Sequence, residues 1–447
     1  MVNANAARAL HATPIAEDFD LAGATAHGGA GPFLDYALGV RRVGGLASAR
    51  FDDLKAPNAL YSGGFDVTLL VLLRPLGFIR PQDFGAVTLD PYVSTKIGTP
   101  RLPDPTTVHR SLHRLEPEEA RAQVRGLHRD ILRPALLTDK EHPYVILDGD
   151  STVEVCYGEH VEGAEVGYNP RAHGRRSYHP LLFTDGVRDL VLDAWLRPGN
   201  ASDKTDLLDH YRDTRDWLAG IGRPVEYARF DRGFCGEDIY SELERDRVGY
   251  AIKSKLTRRI KDALQGATFR EITCEGDASQ IEVTEVEVKL SGWSRTRRVV
   301  VVRLRERDPD QLWLGDWGWR YEAVVTSLDW APEDVWRFYN RRCQAENVIK
   351  ELKEGYGIDK LSTGSFGAND ADLVLKVISY NLVWSFRNEV LPPEWRPLTI
   401  RTLRTHLLRI PGVLMSHARQ LRLRLASWYA HVERFAGIRA RVAALVT

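Results

Sequence analysis

A mixed α/β fold with one β-rich stretch set into it is predicted by three observations on this 447-residue chain. Short apolar strand-like segments alternate with helical ones from residue 143 onward, residues 267–327 are strand-like throughout, and two long helical patterns follow. In order, YVILD, TVEVCYG, HPLLFTD and DLVLDAWL read as strands, Asp203 to Leu218 as a helix, VEYARFD as a strand, Glu237 to Arg247 as a helix and VGYAIKS as a strand. IEVTEVEVKL alternates as a half-buried strand does, whereas RVVVVRL is the continuous apolar run of a strand covered on both faces. Pro332 to Glu354 and Asp370 to Val390 read as helices. This is the element order of a ribonuclease H-like core, here interrupted by a β-rich insertion.

The same pass sets the expected domains: 1–140 as an N-terminal region, 141–265 with 328–392 as the core, 266–327 as the insertion, and 393–447 as an arginine-rich helical C-terminal region. Residues 1 to 30, rich in Ala and Gly and ending in AHGGAGPF, read as flexible or loosely attached. In DPTTVHRSLHRL a helix start precedes a basic face of His109, Arg110, His113 and Arg114, which suits a helix that reads DNA and equally an exposed polar helix.

Composition bounds the function. With 43% hydrophobic and 27% charged residues the chain can bury a real core. Its longest apolar run, Val67 to Leu73, is far short of the roughly 18 residues a membrane span needs, and the N-terminus lacks a secretory pattern. A cytoplasmic protein is expected. Cys156, Cys235, Cys274 and Cys343 stand singly, which argues against a zinc site. Sixty-one basic residues balance sixty-one acidic ones, so net charge gives no support for a nucleic-acid partner. Distribution does: Arg396 to Thr447 holds ten arginines and one acid, Glu433, a candidate surface for phosphates or a solvated face.

Chemistry concentrates in three places. Asp150 closes the strand YVILDGD and Asp231 closes VEYARFD, and acids at two neighbouring strand ends repel unless a cation lies between them. Strand-end Asp is also a common turn former. Asp148, two residues before Asp150 on the same strand face, is its rival. On the helix VWRFYNRRCQAENVIKELKEGYG, with Glu346 at zero, Tyr339 falls at about +20°, Arg342 at about −40°, Lys350 at about +40° and Lys353 at about −20°. That polar stripe borders the apolar face of Phe338, Ala345, Val348, Ile349 and Leu352, where a carboxylate meets metal and the cations meet phosphate. Ordinary pairing of Glu346 with Lys350 accounts for part of the same pattern.

The spacing Tyr339-x2-Arg342-x3-Glu346-x6-Lys353 resembles the Y-R-E-K signature of the insertion-sequence-four superfamily of bacterial DDE transposases. LDGDST, VGYNPRAHGRRSYHPL, RFDRGF and VTSL resemble its thirteen-eighty branch. The resemblance covers about residues 143 to 390. It implies a cut-and-paste transposase in which Asp150, Asp231 and Glu346 bind two Mg²⁺ ions, with Mn²⁺ as substitute, and Asp150 is the acid preceding Ser-Thr. It implies that Tyr339, Arg342 and Lys353, with Lys350, grip phosphates near the cleaved end. It further implies a 3′-OH product, a hairpin intermediate, strand transfer into target DNA, and a homodimer synapsing two terminal inverted repeats near the bacterial nucleoid. A flipped base would stack on a tryptophan of the insertion, here Trp319 rather than Trp313 or Trp317; a small aromatic core explains the cluster as well. The basic loop Arg171, His173, Arg175, Arg176 is placed to track DNA or to be solvated. A ribonuclease H-like nuclease or resolvase, and an inactive, domesticated DNA-binding derivative, are the alternatives.

Overall fold

The protein is described by a computed structural model covering residues 15–158, 160–169, 172–272, 280–305, 318–417 and 420–446. β-Branched and apolar runs between Val145 and Thr326 assemble one nine-stranded sheet. Its strands are β1 (Val145–Ser151), β2 (Leu181–Asp185), β3 (Val191–Trp195), β4 (Val225–Phe230), β5 (Gly249–Ser254), β6 (Arg270–Ile272), β7 (Gln280–Val288), β8 (Arg297–Arg305) and β9 (Arg320–Thr326). The order across the sheet is β6-β7-β8-β9-β5-β4-β1-β2-β3, with β1, β4 and β5 mutually parallel in sequence across the sheet and every other pairing antiparallel. The strands expected as an inserted β-rich unit therefore continue the same sheet, through β9 hydrogen-bonded to β5.

The main helices are α1 (Gly63–Leu76), α2 (Pro105–Arg114), α3 (Glu118–Thr138), α4 (Leu207–Gly220), α5 (Glu237–Arg245), α6 (Pro332–Asn340), α7 (Cys343–Glu351), α8 (Phe366–Glu389) and α9 (Val432–Val446). On one face of the sheet Leu207, Tyr211, Ile239 and Leu243 of α4 and α5 pack against Val299, Val301 and Val325. On the other, Val335, Trp336 and Phe338 of α6 pack against Val300, Val302 and Val324. The run Val299–Val302 is thus fully buried on both sides, each side chain contributing about 1.5–3 kcal/mol. A third core joins α1, α3 and α8. Helix α8 is buried almost all round and covers the β3 edge, where Asn381 accepts from the Val191 amide at 3.0 Å and donates to its carbonyl at 2.7 Å.

Three expectations are corrected. The glycine-rich stretch before Phe33 is not loose: Ala24–Thr25 pairs with Val413 and Gly412, and Gly28, Gly29 and Ala30 are buried. Its glycines serve close approach, since a Cβ on Gly29 would lie 1.7 Å from the Leu407 carbonyl oxygen. The arginine-rich tail is not wholly helical, because Gly412–His417 and Gln420–Leu425 form a hairpin, the latter alternating as QLRLRL. The helix expected over 332–354 is two helices, α6 and α7, broken at Arg341–Arg342, and its last turn widens over Leu352–Tyr356.

Candidate active site

Two parallel strands decide where the acids go. β1 and β4 are in register with Asp148 opposite Arg229 and Gly149 opposite Phe230. β4 ends there, so the next position of the ladder sets Asp150 beside Asp231, at the carboxyl ends of both strands and on the face shared by Asp148 and Arg229.

The lower rung is saturated. The Arg229 guanidinium donates to both Asp148 oxygens, Nε to Oδ1 and Nη2 to Oδ2, each at 2.6 Å, and both side chains are buried. Burial pushes Asp148 up to about 6 against the pull of Arg229, so at neutral pH it is still the anion that Arg229 grips. Its remaining donor, Nη1, goes to the Phe338 carbonyl at 2.8 Å. Both Asp148 oxygens are thereby engaged by Arg229.

The upper rung is doubly acidic, and its cation comes from a helix. Arg342 Nη1 donates to Asp150 Oδ2 at 3.1 Å and Nη2 to Glu346 Oε1 at 3.2 Å, while the Tyr339 hydroxyl donates to Asp231 Oδ1 at 3.3 Å. Burial holds Asp150 above the usual carboxylate range in spite of Arg342, and the Asp231 charge pushes the same way. Burial opposes the Arg342 charge, but Asp150, Tyr339 and Asp231 together make its proton harder to remove. Glu346 is 60% exposed, at the solvent side of this group. Asp150, Asp231 and Glu346 are thus gathered around Arg342 and Tyr339. Among the described residues no three His, Cys, Asp or Glu side chains stand close enough together to hold a metal ion in this arrangement. The donor set itself, carboxylate oxygens in excess of nearby cations, suits a hard divalent ion.

The apolar positions expected beneath the stripe, Phe338, Ala345, Val348, Ile349 and Leu352, are all buried. Lys350 is exposed beyond Glu346, and Lys353 is half-buried with its charge acting on the buried Glu154. Trp319 immediately precedes β9, four residues before Ala323, which pairs with the last residue of β5. It therefore stands at the same end of the sheet as the acids. Arg303 and Arg305 stack over its ring at 4.5 and 4.7 Å. Arg175 is exposed, whereas Arg176 donates to the Ala164 and Val161 carbonyls and braces its own loop. Arg171, Trp313 and Trp317 lie outside the described residues. In α2, Val108 and Leu112 face the core, and His109, Arg110, His113 and Arg114 occupy the more open side.

Two residues here escape a sequence reading. Arg229 looks like one more charged strand residue until the β1–β4 register puts it opposite Asp148. Lys253, on β5, lies 5.9 Å from the centre of the Tyr339 ring and pairs with Glu322 at 3.4 Å. In the tail, Arg401 and Arg409 line an open groove of about 600 Å³ with Thr399, Thr402, Thr405 and His406, beside Glu354 at the end of the α7 segment. Arg404 beneath it is buried and spends its guanidinium on the Pro75, Arg74 and Gly355 carbonyls.

No curated protein matches the chain. Among solved structures, the cryo-EM piggyBac transposase synaptic complex with hairpin DNA is similar at 12% identity and a TM-score of 0.39, over 84% of this chain and 80% of that one. A likeness so loose carries no conclusion about function. Residues 66–447, which contain all three acids and both helices that approach them, match the family described as transposase DDE domain group 1. The chain belongs to that family of transposases.

Proposed function

We propose that this transposase works by cut and paste, cleaving both ends of its element to leave a 3′-OH and joining that end to target DNA. The observation that carries the reading is the rung of two strand-end acids, Asp150 and Asp231, faced by Arg342, Tyr339 and Glu346 from the helices docked above it. Asp148, taken up by Arg229, leaves Asp150 as the first acid. The assignment to the insertion-sequence-four superfamily and its thirteen-eighty branch rests on Tyr339, Arg342, Glu346 and Lys353, and a ribonuclease H-like core on the order of β1, β2, β3, β4 and β5 with their helices.

Asp150, Asp231 and Glu346 would hold two Mg²⁺ ions, for which Mn²⁺ would substitute. When bound, such a pair lowers the barrier by activating the attacking oxygen and stabilising the leaving one. The protein's own part is positioning. β1 and β4 fix two carboxylates, and α7 brings the third from a more exposed position. Arg342, a planar fork already set between Asp150 and Glu346, is placed to exchange a carboxylate for a phosphate oxygen. Tyr339 orients Asp231, and Lys350 and Lys353 extend the cationic stripe along the scissile strand. Trp319 would receive a base flipped out as a hairpin forms, and Arg175 with the Arg401 and Arg409 groove would follow the backbone on either side. Two copies of the chain would act together on the two ends.

The test is cleavage, in Mg²⁺, of a duplex carrying the inverted repeats that flank the gene. Native protein is expected to release a 3′-OH end and strand-transfer product, and Glu346→Gln to do neither while remaining folded. Cleavage without strand transfer would favour a nuclease or resolvase. Binding without cleavage would favour a domesticated DNA-binding protein.

A further inference from the structure

We infer that Arg229 is a positioning residue for cleavage: by taking the Phe338 carbonyl it breaks the helix one turn ahead of Glu346 and turns Arg342 and Glu346 onto the acidic rung. The inference rests on the proposed roles of Asp150, Asp231 and Glu346.

In an unbroken helix the Arg342 amide bonds to the carbonyl four residues back, that of Phe338. Here that carbonyl accepts from Arg229 Nη1 at 2.8 Å, and the Arg342 amide bonds to Tyr339 instead, at 3.0 Å. The next turn is tight as well, Gln344 bonding to Arg341 at 3.1 Å and Ala345 to Arg342 at 2.9 Å. A three-residue turn advances about 120° per residue where an α-helix advances about 100°, so the break rotates everything after it. Helix kinks trace to proline, glycine or a group inserted into the ladder, and FYNRRCQAE contains neither proline nor glycine. The inserted group is the guanidinium.

Its own position is fixed. Both Asp148 oxygens hold it, the Phe338 ring lies 5.0 Å below its central carbon, and it is 1% exposed. The sheet that carries Asp150 and Asp231 thereby also dictates where the helix bearing Glu346 changes direction. Neither residue of the pair touches the reacting atoms; the pair sets the distance between the two rigid acids and the third.

Arg229→Met alone strands a buried Asp148, so the informative variant is Asp148→Leu with Arg229→Met, which removes both charges at similar volume. Three quantities are read on the full chain: nicking of supercoiled plasmid in Mn²⁺, affinity for a labelled 30-base-pair duplex in EDTA, and a crystal structure of the variant. Nicking is expected to fall about 100-fold, the scale of an ångström-sized misplacement. DNA affinity is expected to fall only about threefold, because Arg342 moves with the helix while the Arg175 loop and the Arg401 and Arg409 groove lie off it, and the Arg342 amide is expected to return to the Phe338 carbonyl in a continuous helix. Native nicking overturns the inference whatever the helix does. So does a loss of nicking with the break still in place. A native chain that does not nick at all would fail the proposed function instead, and the crystal structure would still decide whether Arg229 makes the break.

Discussion

Two rungs of one ladder, one register step pair apart, make opposite use of the same chemistry. Asp148 and Arg229 neutralise each other in a dry site, with both carboxylate oxygens and the forked guanidinium committed. Asp150 and Asp231 are two acids side by side, and Asp150 takes Arg342, at 3.1 Å, from a helix that is not part of the sheet. Strand position is alike in the two rungs, and each holds an Asp of β1. What separates the fixed pair from the proposed site is whether the charge is balanced from within the rigid element or from outside it.

That contrast is broken most sharply by removing charge from each rung in turn. Asp150→Asn, Asp231→Asn or Glu346→Gln is expected to lower strand-specific cleavage on the order of 10³-fold or more, the several kcal/mol a metal-holding carboxylate supplies. The melting temperature should hold or rise, since each change relieves repulsion between acids. A variant that both melts early and cleaves normally would reverse the roles of the rungs. Asp148→Asn should do the opposite, costing about 3–5 kcal/mol in chemical denaturation by leaving a buried guanidinium unpaired. Native stability there would mean that Asp148 is free to bind a ligand after all.

Smaller effects sharpen the same distinction between committed and uncommitted cations. Arg404 is committed to three carbonyls, whereas Arg401 is 67% exposed and pairs with Glu354 at 3.6 Å. Arg401→Gln with Arg409→Gln should reduce the slope of log affinity against log salt for duplex DNA by about two contacts, roughly 0.9 each. An unchanged slope would remove the groove from the DNA path. A last effect, read as a function of pH, concerns an acid buried as Asp148 is. Glu154 is 2% exposed with Oε1 unbonded, and burial pushes it up to about 8. Its folded form holds a proton that the unfolded chain releases near pH 4.5, so stability should fall as pH rises from about 4.5 to 8. Glu154→Gln should flatten that stretch of a denaturation-against-pH series, and an unaltered slope would assign the dependence to other buried acids such as Asp193.

How far the sequence speaks depends on how local the cause is. Alternation in IEVTEVEVKL and the unbroken VVVV of β8 state their own burial, and Asp150, Asp231 and Glu346, the proposed acids, draw notice by their local contexts. The break between α6 and α7 is not legible, since its cause sits at Arg229, more than a hundred residues earlier. The glycines near residue 28 misled for the same reason. Glycine signals freedom until one knows that the Leu407 carbonyl comes within 1.7 Å of where a Cβ would be. Likewise the pairing of Asp148 with Arg229 needed a strand register, which no single segment encodes.

The pairing of Thr25 with Gly412 spans 387 residues. A ribosome adding about 5–20 residues per second needs about 20–80 s to travel that far, so the first strand emerges long before its partner exists. Glu346 too is made well after Asp150 and Asp231, and the β6–β9 extension must be synthesised between the second acid and the third. Such long-range closure is slow for any chain. It also imposes an order in time: the three proposed acids exist before Gly412 does, and the pairing that clasps the first strand to the rest of the fold forms only after them.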